Sequence, residues 1–191
     1  VHLLPTLFRD FKNLYPEIEL EVVEAGGIDS PRMIENEELD LAVTNYDDSF
    51  SPNLHYRKLF KSEACFCTYP DHPLAQKKYV DTKDIANEPL VLLNGGFFVN
   101  RLIYQNFQQA LTAPKVILHS SQLHTVKNLI SSQIASSFLM RQAITASDNI
   151  IPLSLKKPLF INSGIVTKRG RQIYGDEQKL IEFICDNQPL G

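Results

Sequence analysis

The chain has 191 residues, of which 43% are hydrophobic and 21% charged, and its formal net charge is −3. Such a composition is typical of a globular protein with a sizeable core. A DNA-binding module usually shows a basic stripe and a pI above about 9. The pI near 6.0 therefore disfavours direct nucleic-acid binding.

The same totals disfavour membrane, disulfide and metal classes. No apolar run approaches the roughly 18 residues of a membrane span, so we expect no membrane partner. An export signal is not visible at the first residues, which favours a cytoplasmic location. Three cysteines are an odd number, so we expect buried thiols rather than a disulfide framework. Without a nearby cluster of His and Cys, we expect no metal site and no cofactor.

Helices and strands alternate along the first half. Apolar spacing predicts a helix over 4–15, ended by Pro16. Strict alternation predicts a strand at Glu17–Val22, and Ser30 with Pro31 predicts the start of a short helix that runs to about Glu38. The remaining elements predicted here are strands over 39–43, 55–60, 64–69 and 90–93, a turn over 70–73, and a short helix from Thr82.

The alternation of helices and strands continues through the second half of the chain. A long helix opens at Gly95 and Gly96 and carries apolar positions to Leu111. Ser120 and Ser121 are predicted to cap the next helix, over 121–132. Strands follow over 115–119, 134–140, 150–155 and 159–167, with a short helix near 143 and a closing helix over 172–185. This alternation favours parallel sheets covered by helices.

Several motifs, in order, carry a family resemblance. Glu38-Leu39-Asp40-Leu41-Ala42-Val43, Asp71-His72-Pro73-Leu74-Ala75 and Asp84-Ile85-Ala86-Asn87-Glu88-Pro89-Leu90 resemble stretches of LysR-type effector-binding domains. The opening 3–20 segment is also similar, and the likeness extends from about residue 3 to 184. The second motif is the most specific of them.

The resemblance implies an α/β fold of the type-2 periplasmic-binding-protein kind. Two Rossmann-like lobes would be joined by two crossover strands, with an effector cleft between them. Lobe I would comprise 1–64 and 166–191, and lobe II 65–165. The family's N-terminal winged helix-turn-helix is expected to be absent from this chain, so that DNA is bound only through that other domain. A homodimer or homotetramer is implied, pairing the 5–15 helix and 18–23 strand with the 121–132 helix of another subunit.

Two departures from the family pattern affect the site. The sequence starts at or inside the first helix, where relatives have a strand before it. The usual glycine-rich turn and proline after the 121–132 helix are replaced by Gln133, Ala135 and Met140. We expect a reshaped cleft wall, because glycine permits close backbone approach.

Residues that follow three predicted strands are the candidate ligand site. Ligands of open α/β sheets bind beyond the carboxyl ends of strands, where helix N-termini favour anions. The candidates are Thr44, Asn45, Gly95, Gly96, Phe97, Ser120, Ser121 and Gln122. Helix capping, a tight turn or loop hydrogen bonds would equally explain these residue types. Arg101 and Arg141 could supply counter-charge, although most arginines are surface residues.

No catalytic constellation is visible, because the histidines lack a nucleophile at suitable spacing and the known catalytic motifs are missing. The sequence therefore favours a regulatory domain that senses a small molecule, expected to be a small organic anion. A solute-binding protein of an ABC-type transporter has the same fold and is the alternative. An enzyme on this fold, such as a dehydratase or a deaminase of the pyrrole pathway, is a third possibility.

Overall fold

The computed structural model describes residues 4–46, 51–94 and 98–187. The chain divides into two compact units. Unit 1 comprises Val1–Lys61 and Asn162–Gly191, and unit 2 comprises Ser62–Ile161.

In chain order, the helices are α1 (Leu4–Leu14), α2 (Asp29–Glu35), α3 (Phe98–Gln109), α4 (Leu123–Ser131) and α5 (Gly175–Asp186). The strands are β1 (Leu41–Tyr46), β2 (Leu54–Thr68), β3 (Tyr79–Val80), β4 (Pro89–Leu93), β5 (Lys115–Ser120), β6 (Ser137–Met140), β7 (Ile151–Leu155) and β8 (Leu159–Lys168). Single 3₁₀ turns cover Pro73–Gln76, Arg141–Ala143 and Ala146–Asp148. The long strands β2 and β8 each run from one unit into the other.

Unit 1 is built on the antiparallel pair β1 and β8, with β2 on the other side of β8. The register of the β1–β8 pair runs from Leu41 opposite Thr167 to Tyr46 opposite Asn162. Successive side chains of a strand point to opposite faces. Val166 accordingly packs with Ile34 of α2, and Ile165 packs with residues of α5. Both faces of this sheet are therefore covered by helices.

Unit 2 also has a sheet with two covered faces. Phe66 and Ala64 of β2 pack in one apolar cluster, with Phe107 of α3. Cys65 and Cys67 pack in the cluster on the other face, with residues of α4 such as Val126 and Ile130. The expectation of buried thiols is therefore confirmed for Cys65 and Cys67, whereas Cys185 is only partly buried.

Most strands of the unit 2 sheet run in the same direction. β4 pairs with β5 in parallel, and a parallel bridge between Leu90 and Ser136 brings β4 alongside β6. β2 is antiparallel to both β6 and β7, and β3 is parallel to β7. Among the described strands of this unit, β2 alone runs against the others. The carboxyl ends of β5, β4, β6, β7 and β3 therefore meet at one edge.

The prediction of parallel sheets is only partly correct. It holds for β4–β5 and β3–β7, whereas β1–β8, β2–β6 and β2–β7 are antiparallel. The physical reason is connectivity. β2 takes the chain into unit 2 and β8 brings it back, so neither is linked to its sheet neighbours by a simple helical crossover.

The prediction of a strand at Glu17–Val22 is wrong. Among the described residues, no strand pairs with it, and only Ile18 of the six is buried. Lys12 of α1 donates to the Ile18 carbonyl at 2.6 Å. Alternation of apolar residues reports which face is buried, but a strand also needs a hydrogen-bonding neighbour.

Other element boundaries also differ from prediction. Ser30 lies inside α2 rather than capping it, and its hydroxyl donates to the Gly26 carbonyl at 2.9 Å. The residues after Thr82 form hydrogen-bonded turns instead of a helix. The two strands predicted over 55–60 and 64–69 are one continuous β2, since no glycine or proline interrupts them.

Three helices end in the same left-handed turn without glycine. Glu37, Leu111 and Gln133 have φ values of 61°, 56° and 60°. After α4, Gln133 N donates to Ile130 O at 2.9 Å and Ile134 N to Leu129 O at 3.0 Å, the hydrogen-bond pair of a Schellman motif. Leu111, predicted on the apolar face of α3, lies beyond its end and is 95% exposed.

His72 holds the turn formed by the Asp71–Ala75 motif through hydrogen bonds of its buried imidazole. The side chain is 5% exposed, and its Nδ1 accepts from Leu74 N at 3.1 Å. Its Nε2 lies 3.0 Å from Oε2 of Glu88. Because Nδ1 is the acceptor, the Nε2 proton donates to Glu88. The imidazole thus connects this turn to the Asp84–Leu90 motif. Its role is structural.

Candidate functional site

The site that the sequence suggests maps to the carboxyl edge of the unit 2 sheet. Leu93 at the end of β4 pairs with Ser120 at the end of β5, and Asn94 N donates to Ser120 O at 2.9 Å. α3 and α4 follow these two strands. The first N–H groups of a helix have no partner within it, and they carry a partial positive charge. Two helix N-termini therefore follow neighbouring strand ends.

The Ser120–Gln122 stretch forms the turn into α4. Ser120 Oγ accepts from Gln122 N at 3.1 Å, and the Gln122 side chain accepts from the Thr125 hydroxyl at 3.2 Å. The prediction that Ser121 caps the helix is wrong. The N-cap is Gln122, which makes no capping side-chain bond. The amides at the start of α4 are therefore not occupied by a side-chain cap.

Three of the predicted site residues, Gly95, Gly96 and Phe97, lie outside the described residues. Their C-terminal flank contains Asn100, which the sequence reading missed. Asn100 is 4% exposed, and its Nδ2 donates to the carbonyls of Leu93 and Asn94, the second at 3.1 Å. The first turn of α3 is thereby tied to the end of β4. Nothing in its helical context marks an asparagine for such a role.

Thr44 and Asn45 belong to unit 1 and lie within β1, not after it as predicted. They pair with Gly164 and Ser163 of β8, and Asn45 Oδ1 accepts from Ser163 Oγ at 2.6 Å. The strand is longer than its apolar run because β8 supplies hydrogen bonds through Tyr46. These residues therefore share a strand pair with Ser163, which sequence reasoning did not select.

Gly164 is required by close backbone approach. A Cβ added there would lie 2.4 Å from Arg57 O and 2.9 Å from the Tyr46 ring. Real side chains do not tolerate such distances, so this part of β8 admits only glycine without rearrangement. The sequence alone gave no reason to single out this glycine.

A charged cluster lies at the same edge of unit 2, next to β6. Arg141 donates to Glu63 Oε2 through Nε at 3.1 Å and Nη2 at 2.8 Å, and Nη2 also donates to Ser154 Oγ at 3.0 Å. Burial raises the pKa of Glu63, but hydrogen bonds from Ser154 and Arg141 outweigh it, so the net pKa is lowered. The pKa of Arg141 is raised, first by its bond to Glu63. The pair is therefore ionised at neutral pH.

A second ion pair connects α4 to the 145–148 turn. Lys127 Nζ lies 2.7 Å from Asp148 Oδ2, with the side chains 11% and 17% exposed. That oxygen also accepts from Thr145 N at 2.6 Å and from the Thr145 hydroxyl at 2.9 Å. The bond from Lys127, followed by those from Thr145, lowers the pKa of Asp148 to about 2. The cluster anchors α4 to the 145–148 turn.

A charged groove of about 470 Å³ lies at the far end of this edge, near β3 and β7. Two of its three lysines are paired with aspartates: Lys77 lies 3.0 Å from Asp84, and Lys156 lies 4.0 Å from Asp81. Paired lysines at the surface are a poor anion site. The groove is therefore a weaker candidate than the ends of β4 and β5.

Two other chemistries find little support. Burial, and then the nearby Glu63, raises the pKa of the Cys65 thiol to about 12, and burial also raises that of Cys67. A thiol that stays protonated is a weak nucleophile. Within 4–46, 51–94 and 98–187, no group of three or more His, Cys, Asp or Glu is arranged to hold a metal ion. No helix in those ranges is long and apolar enough to cross a bilayer.

The chain matches the family model described as the LysR substrate binding domain over residues 1–188. It is 26% identical over 191 residues to the transcriptional dual regulator GltC of Bacillus subtilis, covering 95% of this chain and 62% of that protein. Its fold is similar to that of the CcmR regulatory domain of Synechocystis in complex with 2-PG, with a TM-score of 0.88 and 18% identity over 99% of this chain and 92% of the other. The fold is also similar to that of the effector-binding domain of QuiR in complex with shikimate. Here the TM-score is 0.79 and the identity is 19%, over 97% of this chain and 90% of the other.

The chain therefore belongs to the LysR family and is its effector-binding domain, with the periplasmic-binding-protein-like fold of that class. It spans 62% of the length of GltC. The resemblance to LysR effector-binding domains is confirmed by the family match, and the curated relatives include transcriptional regulators. Nothing in these relatives supports the transporter alternative.

Proposed function

We propose that this domain binds a small organic anion at the carboxyl edge of the unit 2 sheet. The observation that carries the proposal is the pairing of Leu93 with Ser120, each at the end of a strand that leads to a helix. Helix N-termini bind anions through free N–H groups and the helix dipole. The complexes of QuiR with shikimate and of CcmR with 2-PG support small-molecule binding by this fold.

The free amides of α4 give a direct test. Leu123 is the first helical residue, and Gln122 before it has φ −113° and ψ 118°. Proline suits both the first helical position and an extended preceding residue. Leu123→Pro therefore removes one N–H group from the site, whereas Leu123→Ala truncates the same side chain and keeps that group.

We expect a thermal-shift screen of small organic acids to find a ligand that raises the melting temperature of the wild-type chain. Loss of one hydrogen bond to a charged group costs about 1.5–3 kcal/mol, so Leu123→Pro should weaken binding about tenfold or more. Leu123→Ala should bind like the wild type once its lower intrinsic stability is subtracted. Equal binding by both variants, or no binding by any acid, would contradict the proposal.

Units 1 and 2 serve in this proposal as the two lobes, predicted over 1–64 with 166–191 and over 65–165. Thr44 and Asn45 would be the contribution of lobe I to effector binding, and a cleft between the lobes stays a prediction. In the whole protein, which we place in the bacterial cytoplasm, a separate domain would bind DNA. Effector binding would act on it by shifting the equilibrium between subunit arrangements.

The assembly that would transmit the signal is an isologous dimer, or a tetramer built from it. Its proposed surface on unit 1 includes α1 and the 18–23 segment, where Leu14, Val22 and Val23 are 59%, 47% and 46% exposed. Exposed apolar side chains on adjoining segments support a protein contact. Sedimentation velocity should detect a dimer that Val22→Asp dissociates, and a wild-type monomer at high concentration would contradict this part.

A further inference from the structure

We propose that Asn100 determines the ligand class of this site, and that the effector is a hydroxy acid whose hydroxyl group donates a hydrogen bond to Asn100 Oδ1. This inference rests on the proposed function and deepens it. Its basis is a buried acceptor in the first turn of α3 that accepts no hydrogen bond from the described residues, beside the ends of β4 and β5.

The position of Asn100 in α3 makes an asparagine unexpected. Asn100, Ile103 and Phe107 share one face of the helix, at the i, i+3, i+7 spacing, and all three are buried. Such a stripe is usually apolar along its whole length. Ile103 and Phe107 pack in the apolar cluster on one face of the unit 2 sheet, whereas Asn100 lies where the stripe reaches the end of β4.

Two hydrogen bonds fix the orientation of the Asn100 side-chain amide. Nδ2 donates to the carbonyl of Leu93 and, at 3.1 Å, to that of Asn94. Exchanging the amide nitrogen and oxygen would place Oδ1 against two carbonyl oxygens, which can only accept. Oδ1 therefore lies on the side of the amide that faces away from these carbonyls.

Oδ1 is the atom that requires a donor. Asn100 is 4% exposed, and across 4–46, 51–94 and 98–187 no group donates a hydrogen bond to this oxygen. Leaving a buried acceptor unpaired costs free energy, and nearly all such atoms in native proteins have a partner. Because the atom is enclosed, its donor has to be a small group that a local shift of the side chain can admit.

The partial charge of the helix favours a hydroxyl group over an ammonium group as this donor. Asn100 is the third residue of α3, and the first turn of a helix carries a partial positive charge. A cationic donor is repelled there, whereas a neutral O–H group is not. The acidic group of the same ligand is attracted by this charge and by that of α4.

The strand ends place Asn100 close to the start of α4. Leu93 pairs with Ser120, and Asn94 N donates to Ser120 O at 2.9 Å. The amide of Asn100 thus bonds to residues that lie one strand spacing, roughly 4.8 Å, from Ser120. Because α3 and α4 pack against opposite faces of this sheet, the ligand crosses the sheet edge, and its hydroxyl and acidic groups are separated rather than adjacent.

Calorimetric titration of the wild-type chain with four-carbon acids tests the ligand class. We expect 3-hydroxybutyrate or 4-hydroxybutyrate to bind about tenfold more tightly than butyrate, as for one buried acceptor that gains its donor. The methyl ether of the better hydroxy acid keeps the oxygen but has no donor, so it should bind no better than butyrate. Tighter binding of 4-aminobutyrate than of both hydroxy acids would overturn the assignment to a hydroxyl group.

Two asparagine variants of α3 test the residue. Asn100→Ala removes the acceptor, whereas the control Asn106→Ala removes an asparagine whose Oδ1 accepts from the Thr82 hydroxyl. Asn100→Ala should bind butyrate and the hydroxy acid equally, and Asn106→Ala should keep the tenfold preference. If Asn100→Ala weakened both acids by the same factor, its role would be structural and the inference would be wrong.

A measurement on the wild-type chain covers the case in which Asn100→Ala does not fold. The side-chain amide resonances of Asn100 should shift on addition of the hydroxy acid and stay in place with butyrate. Unmoved resonances, or equal affinity for butyrate and both hydroxy acids, would overturn the inference and leave anion binding at α4 standing. Failure of every acid to bind would count against the inference and the proposed function together.

Discussion

Gln133 occupies a backbone conformation that glycine adopts at lower cost, with φ of 60°. The family resemblance implies glycine in this turn, and the sequence has glutamine there. The turn keeps both hydrogen bonds of a Schellman motif, so the chain tolerates the strained residue instead of changing the shape of the turn.

We predict that Gln133→Gly stabilises the domain by about 0.5–1 kcal/mol, because it relieves a left-handed φ at a helix end. The matched control is Ser132→Gly at the preceding residue, where φ is −81°. There glycine only adds flexibility to the unfolded chain, and stability should fall. Urea unfolding measures both variants. A destabilised Gln133→Gly protein would show that the glutamine side chain makes a contact that outweighs the strain.

At this scale, sequence reasoning selected residue types better than residue roles. Ser120 and Gln122 do lie at the start of α4, but Ser120 bonds to the Gln122 amide and Ser121 caps nothing. Asn100 was missed because its partners are backbone carbonyls of another element. Glu63 was missed because its partner, Arg141, is 78 residues away. Such contacts are set by register, which a single sequence does not specify.

The position of α4 depends on one ion pair within a hydrogen-bonded turn. Asp148 receives bonds from Lys127 and Thr145, and Ser131 donates to the Asp148 carbonyl at 2.8 Å. Three residues, two on α4 and one in the 145–148 turn, thus donate hydrogen bonds to Asp148. Since the amides at the start of α4 form the candidate site, this anchor also sets their direction.

The anchor predicts a specific pH dependence. The pKa of Asp148 is about 2 in the folded chain, and about 3.9 in an unfolded one. A depressed carboxyl pKa contributes stability above the unfolded value and loses it as pH falls through the folded value. We therefore expect Asp148→Asn to lower stability at neutral pH and to flatten the stability profile between about pH 4 and pH 2.

Chemical denaturation at several pH values measures this effect. Lys127→Met keeps the apolar stem of a residue that is 9% exposed and removes its charge. It should flatten the same pH interval, though less, because Thr145 still bonds to Asp148. If both variants kept the acid sensitivity of the wild type, Asp148 would not be the group responsible.

Elements with strong patterns were predicted well, and elements that depend on distant partners were not. The spacing of apolar residues gave α1, α4 and α5 to within a few residues. The Glu17–Val22 segment has a clear alternation and yet forms no strand, since none of the described strands lies beside it. Thr44 and Asn45 belong to β1 for the converse reason, because β8 pairs with them.

For the whole molecule, ordered motifs were more informative than any single pattern. The Asp71–Ala75 and Asp84–Leu90 stretches pointed to the family that the comparison then showed over residues 1–188. Their physical content is visible in His72, which connects the two stretches through Glu88. Antiparallel β2 and β8 were not predicted from periodicity, because strand direction depends on how the chain passes between units 1 and 2.

The most direct measurement is amide chemical-shift mapping of the wild-type chain with the tightest-binding acid from the screen. The proposed site predicts the largest changes at Asn94 and at Ser121 to Thr125, with little change near β3. Saturating shifts confined to the groove around Lys77, Lys78 and Lys156, with the start of α4 unmoved, would contradict the central claim that anions bind at the ends of β4 and β5.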